Sequence, residues 1–387
     1  MSAVSQPCRV GSEAQPSKVA EALRRHRDRH RGQYEFDPAH ERVLAHLCAC
    51  RTATLGTHPC ACQACGWEGA AYNSCRNRHC SQCQGPATAQ WLEARQERML
   101  PTPHFQVVFT LPDELRPITY DNQEKLYGLL FRVAASILKD LGRQHLGARL
   151  GVTAVLHTWT SELTYHPHLH CVVTGGGLHL DGTQWVPTKK KDFFVHGRIL
   201  GRMFRGRFLE GLIAAFKRGE LHLRGDDDEA ARNFQATVKK LSNRHSQWVV
   251  HVEAPKGRPV GHITKYLARY VKRVAITDGR IAAITDTHVT IKTKRGDLEL
   301  DGAEFVRRFL LHVLPLGLRK VRHYGLYAPG MAKTHLAAAR QLLPDVAEAP
   351  VPPGAAGPFE TCPACGKAAV LHIFSEPSSI ERPRGPP

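Results

Sequence analysis

Three histidines, two tyrosines and a knot of cysteines carry the chemistry in this 387-residue sequence. In Tyr165-His166-Pro167-His168-Leu169-His170-Cys171-Val172-Val173, the two-residue period of a strand puts His166, His168 and His170 on one face. Leu169, Cys171 and Val173 then face a core. Two imidazoles so close on a stiff strand can offer nitrogens to one divalent metal ion. Pro167 cannot donate to a sheet ladder, so the regular strand is expected to begin at His168, with His166 at its edge. His-x-His by itself also occurs in zinc hydrolases and other metalloproteins.

The second element is His262-Ile263-Thr264-Lys265-Tyr266-Leu267-Ala268-Arg269-Tyr270-Val271-Lys272-Arg273-Val274. Ile263, Leu267, Val271 and Val274 form the apolar stripe of an amphipathic helix. Beside it, His262, Tyr266 and Tyr270 make a row at i, i+4 and i+8 that presents two phenols in one direction. Lys265, Arg269, Lys272 and Arg273 surround them with positive charge. A phenol ionises near pH 10, so nucleophilic work at neutral pH needs nearby cations or a metal that polarises the group under attack. Taken alone, the helix reads first as a surface pair of tyrosines flanking a core stripe.

Six of the twelve cysteines lie between Cys60 and Cys83. Cys62-Gln63-Ala64-Cys65 and Cys80-Ser81-Gln82-Cys83 are C-x₂-C knuckles separated by fourteen residues, a spacing suited to one structural Zn²⁺ held by Cys62, Cys65, Cys80 and Cys83. Cys60, Cys75 and His79 stand within reach as alternates. Arg76 and Arg78, between the knuckles, suit contacts to DNA phosphates, although such a module could equally serve protein contacts. Cys362-Pro363-Ala364-Cys365 is a third knuckle with no second pair beside it, either half of a zinc site completed by His372 or another chain, or a remnant.

The elements that must position these groups follow from punctuation and period. His104 to Leu111 has strand length and stops at Pro112, residues 122–147 have helical period, and strand-like segments recur at 151–159 and 168–173. Gly175-Gly176-Gly177 signals a turn after the histidine strand. Residues 197–244 read as helical and charged, an insertion between catalytic elements. Trp248 to Glu253 reads as a strand, 260–274 as the tyrosine helix, 280–284 and 287–293 as strands, and 302–313 as a helix. The 53 Lys+Arg against 35 Asp+Glu give a formal charge of +18, which favours a polyanionic partner, DNA by default. No apolar run approaches the roughly 20 residues of a membrane span. No apolar segment of signal-peptide type follows Met1, and the clustered cysteines suit a reducing cytoplasm.

A His-hydrophobic-His strand followed by a helix with two tyrosines four apart resembles the rolling-circle HUH endonucleases, and among them the two-tyrosine transposases of the insertion sequence ninety-one family. The likeness spans about residues 45–327. It includes Asn73 to Cys80, His104 to Pro112, His168 to Gly177, Tyr266 to Ile276 and Arg322-His323-Tyr324-Gly325. Ser81 stands where proline more commonly follows the first cysteine, but the spacing survives. The resemblance implies an α+β fold with an HUH-type antiparallel sheet flanked by helices and an N-terminal zinc-binding module. It implies that His168 and His170 bind Mg²⁺ or Mn²⁺ and that Tyr266 and Tyr270 are nucleophiles. Single-stranded DNA at element ends would be cut with a 5′-phosphotyrosine and a free 3′-hydroxyl. A third metal ligand is expected from His262 first, then His166 or Glu162.

The expected organisation is a basic arm (1–40), a zinc-binding module for DNA recognition (41–100), a catalytic domain (101–328) with a helical insertion at about 185–245, and a tail (329–387). A plasmid replication initiator or relaxase would share the histidine motif and the tyrosine. A non-catalytic zinc protein that binds DNA would leave the tyrosines as surface decoration.

Overall fold

The computed structural model describes residues 10–11, 17–34, 37–83, 94–95, 98–190, 194–243, 245–246, 248–255, 275–344, 362 and 364–365. The strands are β1 (Val10–Gly11), β2 (Thr57–Ala61), β3 (Glu68–Tyr72), β4 (His104–Thr110), β5 (Ala148–Trp159), β6 (Tyr165–His179), β7 (Trp185–Pro187), β8 (Val250–Glu253), β9 (Ile281–Ile284), β10 (His288–Thr293), β11 (Gly296–Asp301) and β12 (Val321–Gly325). The helices are α1 (Lys18–Arg31), α2 (Pro38–Ala49), α3 (Arg116–Asp121), α4 (Gln123–Leu146), α5 (Gly197–Lys217), α6 (Asp227–Ser242), α7 (Gly302–Leu310) and α8 (His335–Gln341).

One antiparallel sheet, ordered β12-β5-β6-β4-β8 with β7 continuing along β6, forms the frame, and β6 is its middle strand. Alternation on β6 sends Leu169, Cys171 and Val173 into the main core, as expected. That core is closed by α4, whose Leu126, Tyr127, Leu130, Phe131, Ala134, Ile137, Leu138 and Leu141 recur at helical spacing on one buried face. Gly147, left-handed at φ 60, ends α4 and turns the chain directly into β5.

Residues 197–217 and 227–242 are helices, as expected, but they are no detachable insertion. Leu200, Phe204, Phe208 and Leu212 of α5 and Phe234 and Leu241 of α6 are buried in the same core as β6. Their apolar stripes are diluted by many arginines and lysines, whose charged ends reach the surface while the aromatic rings pack inward.

The triple glycine is no turn. Gly175, Gly176 and Gly177 continue β6 in extended form, and Gly176 and Gly177 pair with β7. A Cβ on Gly175 would lie 2.8 Å from the Pro103 carbonyl oxygen, and one on Gly177 would lie 2.6 Å from that of Arg149. Glycine here permits close approach of neighbouring backbones, the other use of the residue that signals turns.

A second core joins the N-terminal region to residues 275–313. Val19, Ala22 and Leu23 of α1 and Val43, Leu44 and Leu47 of α2 pack with Phe305, Val306 and Phe309 of α7 and with Val289 and Ile291 of β10. The stretch expected as a basic arm is therefore in part a capped helix: Ser17 accepts from the Ala20 N–H, and the arginines occupy the outer face. Burying each such Val or Leu stabilises by roughly 1.5–3 kcal/mol. Exposed pairs such as Arg25 with Asp286 contribute about 0–1 kcal/mol, so packing rather than charge seats the helix.

The tip of the β5–β6 hairpin plugs into this second core through Leu163, which is fully buried. Arg308 donates to the Glu162 carbonyl at 2.9 Å, His312 Nε2 donates to that of Leu163 at 3.1 Å, and Arg280 donates to that of Ser161. The strand pair that carries the histidines is thus held at its far end by the zinc-side core.

Candidate metal centre

His168 sits where β6 is flanked on both sides, opposite Thr110 of β4 and His157 of β5. Directly opposed residues share a face, so the register alone sets His157 beside His168. His170 is one step further along β6. Ring centroids lie 5.3 Å apart for His157 and His168, 4.5 Å for His157 and His170, and 4.9 Å for His168 and His170. One nitrogen from each ring falls in a group whose atoms all lie within 4.8 Å of one another. The two histidines expected to bind metal are brought together, and a third joins them.

Burial keeps His168 and His170 neutral. It depresses the pKa of His170 to about 3, with His168 adding a smaller push, and that of His168 to about 4, partly opposed by a hydrogen bond to the His166 carbonyl. In that bond His168 Nδ1–H donates at 2.6 Å, which leaves Nε2 as the nitrogen with a free lone pair. Trp159, stacked on His157 with centroids 4.7 Å apart, restricts that ring. Three imidazoles converging from two adjacent strands, two of them held neutral by burial, fit a divalent metal ion.

The alternates are placed elsewhere. His166 Nδ1 accepts from Arg116 at 2.9 Å, so its other nitrogen carries the proton in the neutral ring, and neither is offered to a metal. β6 also begins earlier than expected, at Tyr165. One residue of β5 faces two of β6 between the pairs His157–His168 and Trp159–Tyr165, and this irregularity absorbs Pro167. Glu162 lies in the hairpin tip and accepts from Ser161 at 2.8 Å. His262, Tyr266, Tyr270, Lys265, Arg269, Lys272 and Arg273 lie outside the described residues.

His157 was missed because nothing near it in sequence marks it. A lone histidine in Thr153-Ala154-Val155-Leu156-His157 reads as one residue of a buried strand. The signal is tertiary: a long strand of period two that pairs with the His-x-His strand.

The cysteines are also regrouped. Cys50, Cys75, Cys80 and Cys83 form one buried cluster, while Cys62 and Cys65 stand apart from it. Within the first cluster, Sγ separations are 3.5 Å for Cys50–Cys83, 3.6 Å for Cys50–Cys80 and 3.7 Å for Cys75–Cys83. Four thiolates about 2.3 Å from a tetrahedral zinc lie about 3.8 Å apart, whereas a disulfide needs about 2.0 Å, so the donor set fits zinc. The set expected from spacing, Cys62 and Cys65 with Cys80 and Cys83, is corrected: α2 ends at Ala49 and delivers Cys50 to the second knuckle. Cys75 belongs to the cluster and His79 does not. His79 Nδ1–H donates to Asn77 Oδ1, and its Nε2 accepts from the Leu314 N–H.

Arg78, expected on DNA, points inward. Its guanidinium donates to the carbonyls of Leu318 at 2.7 Å and Pro315 at 2.8 Å, clamping the zinc module to the segment that leads into β12. Arg76, exposed and left-handed at φ 51, keeps the surface position that a phosphate contact requires.

His104 and His312 are buried, and burial depresses both pKa values from 6.5 to about 4. A histidine whose folded pKa is below its unfolded value contributes stability that is whole above the unfolded pKa and is lost as pH falls toward the folded one. Thermal unfolding followed from pH 8 to pH 4 should therefore show a melting temperature that drops as pH descends from about 6.5 toward 4. A melting temperature level across that window would contradict the neutral assignment.

Comparison with known proteins adds a second line. A family model described as a putative transposase matches residues 151–335, and one described as a transposase zinc-binding domain matches residues 22–111. The chain is 40% identical over 386 residues to a putative transposase, y4qJ, of Sinorhizobium fredii (strain NBRC 101917 / NGR234), covering 92% of this chain and 95% of that protein. It is 27% identical over 325 residues to the transposase for insertion sequence element IS801 of Pseudomonas savastanoi pv. phaseolicola, covering 80% of this chain and 75% of that protein. No solved structure matches the chain.

Proposed function

The chain belongs to the transposases of the insertion sequence ninety-one family, with an N-terminal zinc-binding domain, and from that premise we propose that it nicks single-stranded DNA at element ends by rolling-circle chemistry. The observation that carries this reading is the convergence of His157, His168 and His170 on the middle strands of the sheet. Tyr266 and Tyr270 are the nucleophiles in this proposal. A phenol oxygen forms a bond to the scissile phosphorus as the bond to the 3′ oxygen breaks, and the phenol proton ends on that departing oxygen. The products are a 5′-phosphotyrosine and a free 3′-hydroxyl. The second tyrosine serves a second cleavage or the strand transfer.

The described residues that flank the tyrosine segment lie after the sheet and in the second core. Ala254 and Pro255 follow β8, the strand beyond β4, and Ala275 is buried in the core that receives the hairpin tip. The histidines' part is to hold three lone pairs in fixed directions, with His168 locked by the His166 carbonyl. A bound Mg²⁺ or Mn²⁺ would polarise the scissile phosphate and offset charge that develops during attack. Imidazole donors favour Mn²⁺ over Mg²⁺, which prefers oxygen ligands.

No helix among the described residues is long and apolar enough to cross a membrane. The +18 charge supports DNA as partner, and a location at the nucleoid in the cytoplasm is part of the proposal that follows from that partner. The test is incubation of labelled single-stranded oligonucleotides from the element ends with the protein and Mn²⁺ or Mg²⁺, followed by denaturing electrophoresis. The expected result is a protein–DNA adduct that disappears in Tyr266→Phe with Tyr270→Phe. An adduct that persists in that double variant would overturn the nucleophile assignment.

A further inference from the structure

The knuckle Cys362-Pro363-Ala364-Cys365 lies beyond both family-matched regions, which end at residues 111 and 335. In the structure it meets the other orphan pair. Cys65 Sγ lies 3.7 Å from Cys362 Sγ, Cys62 Sγ lies 3.9 Å from Cys365 Sγ, and all four sulfurs lie within 4.8 Å of one another. These separations match the sulfur edge of a tetrahedral zinc site, about 3.8 Å, and are far from a disulfide. The Ala364 N–H points at Cys362 Sγ at 3.4 Å, as the Cys75 N–H points at Cys50 Sγ at 3.5 Å in the first cluster. Backbone donors of this kind stabilise thiolate ligands. Cys62 and Cys362 are buried.

The surroundings explain why such a site is needed. Cys62 and Cys65 stand at the tip of the β2–β3 hairpin, where the Cys62 N–H donates to the Trp67 carbonyl at 2.7 Å. Among the described residues, none from Thr57 to Tyr72 belongs to a buried apolar cluster. A short hairpin without a core of its own is marginal in water and needs a staple.

We propose that Cys62, Cys65, Cys362 and Cys365 form a second structural zinc site, closed within one chain by its C-terminal knuckle. The site ties residues 303 positions apart and anchors the far end of the zinc-binding module to the tail. Closing so long a loop carries a large entropic cost in the unfolded chain, so an ion at this position restrains the hairpin and the tail together.

The experiment measures zinc per full-length chain by elemental analysis after passage over a chelating resin. Wild type is expected to hold two ions. Cys362→Ser with Cys365→Ser, and Cys62→Ser with Cys65→Ser, are each expected to hold one. Cys365→His, which keeps four donors, should restore the second. With Co²⁺ as the probe, the thiolate-to-metal absorption of the tail variant should fall to about half, four of eight thiolates being lost. Two ions retained by the tail variant, or only one held by wild type, would overturn the site. A wild-type dimer by light scattering that becomes monomeric in the tail variant would overturn closure within one chain.

Discussion

Replacing His168 and His170 together by alanine should abolish nicking of single-stranded DNA, a loss of at least about a thousandfold, on the scale of removing fixed electrostatic stabilisers from a transition state. The variant should still retard the oligonucleotide, because phosphate attraction comes from the basic surface and not from neutral rings. Leu169, between the two histidines, faces the main core, so the substitutions act on the other face and leave that packing in place. His157→Ala should have a graded effect. It removes one donor of three and should raise the Mn²⁺ concentration needed for half-maximal cleavage by about 10–100-fold, with activity recovered as metal is added. Cleavage by the double variant at the wild-type rate would remove the metal centre from the mechanism. A His157→Ala defect insensitive to Mn²⁺ would reduce that residue to packing against Trp159.

The second large effect is on stability. Cys75→Ser with Cys80→Ser should eliminate the first zinc ion and cost on the order of 10 kcal/mol, the scale at which small zinc modules depend on their metal. That is comparable to the whole stability of a typical domain, about 5–15 kcal/mol. The damage should spread, because Cys50, Cys75, Cys80 and Cys83 are buried in the same core as Leu23, Leu44, Phe305 and Phe309. It should also reach the Leu314–Leu318 segment, which Arg78 and His79 hold from the module side. Thermal unfolding with and without a zinc chelator measures this. Melting of the variant indistinguishable from wild type would show that the cysteine cluster is dispensable to the second core. The tail knuckle, which is not part of that core, should have the milder effect.

Much of the frame was legible before any coordinates. The strands at His104–Thr110, His288–Thr293 and Val250–Glu253 and the long α4 follow from runs of apolar residues at strand or helix period, bounded by Pro and Gly. The edge strand β12, which holds Arg322-His323-Tyr324, was not read as a strand, since its side chains are all half-buried and show no alternation. The hairpin strand β11 was missed for a similar reason: it is acidic and half of its residues are exposed.

The same division runs through the site. Chain-local patterns were sufficient to put His168 and His170 on one face, because strand alternation depends only on neighbouring residues. They were also sufficient to announce zinc, because a C-x₂-C knuckle folds around its own backbone. They could not say that His157 stands across from His168, since that depends on hairpin register and on the irregularity beside Pro167. Nor could they say which knuckle meets which: Cys80 and Cys83 are completed by Cys50 and Cys75, while Cys62 and Cys65 meet cysteines about 300 residues away. Arg78 looked like a phosphate ligand until the fold brought two carbonyls to its guanidinium. Residue types and short spacings thus name the available chemistry, and the long-range packing of strands and cores selects the partners, because a ligand set is defined by distances in space that no local period encodes.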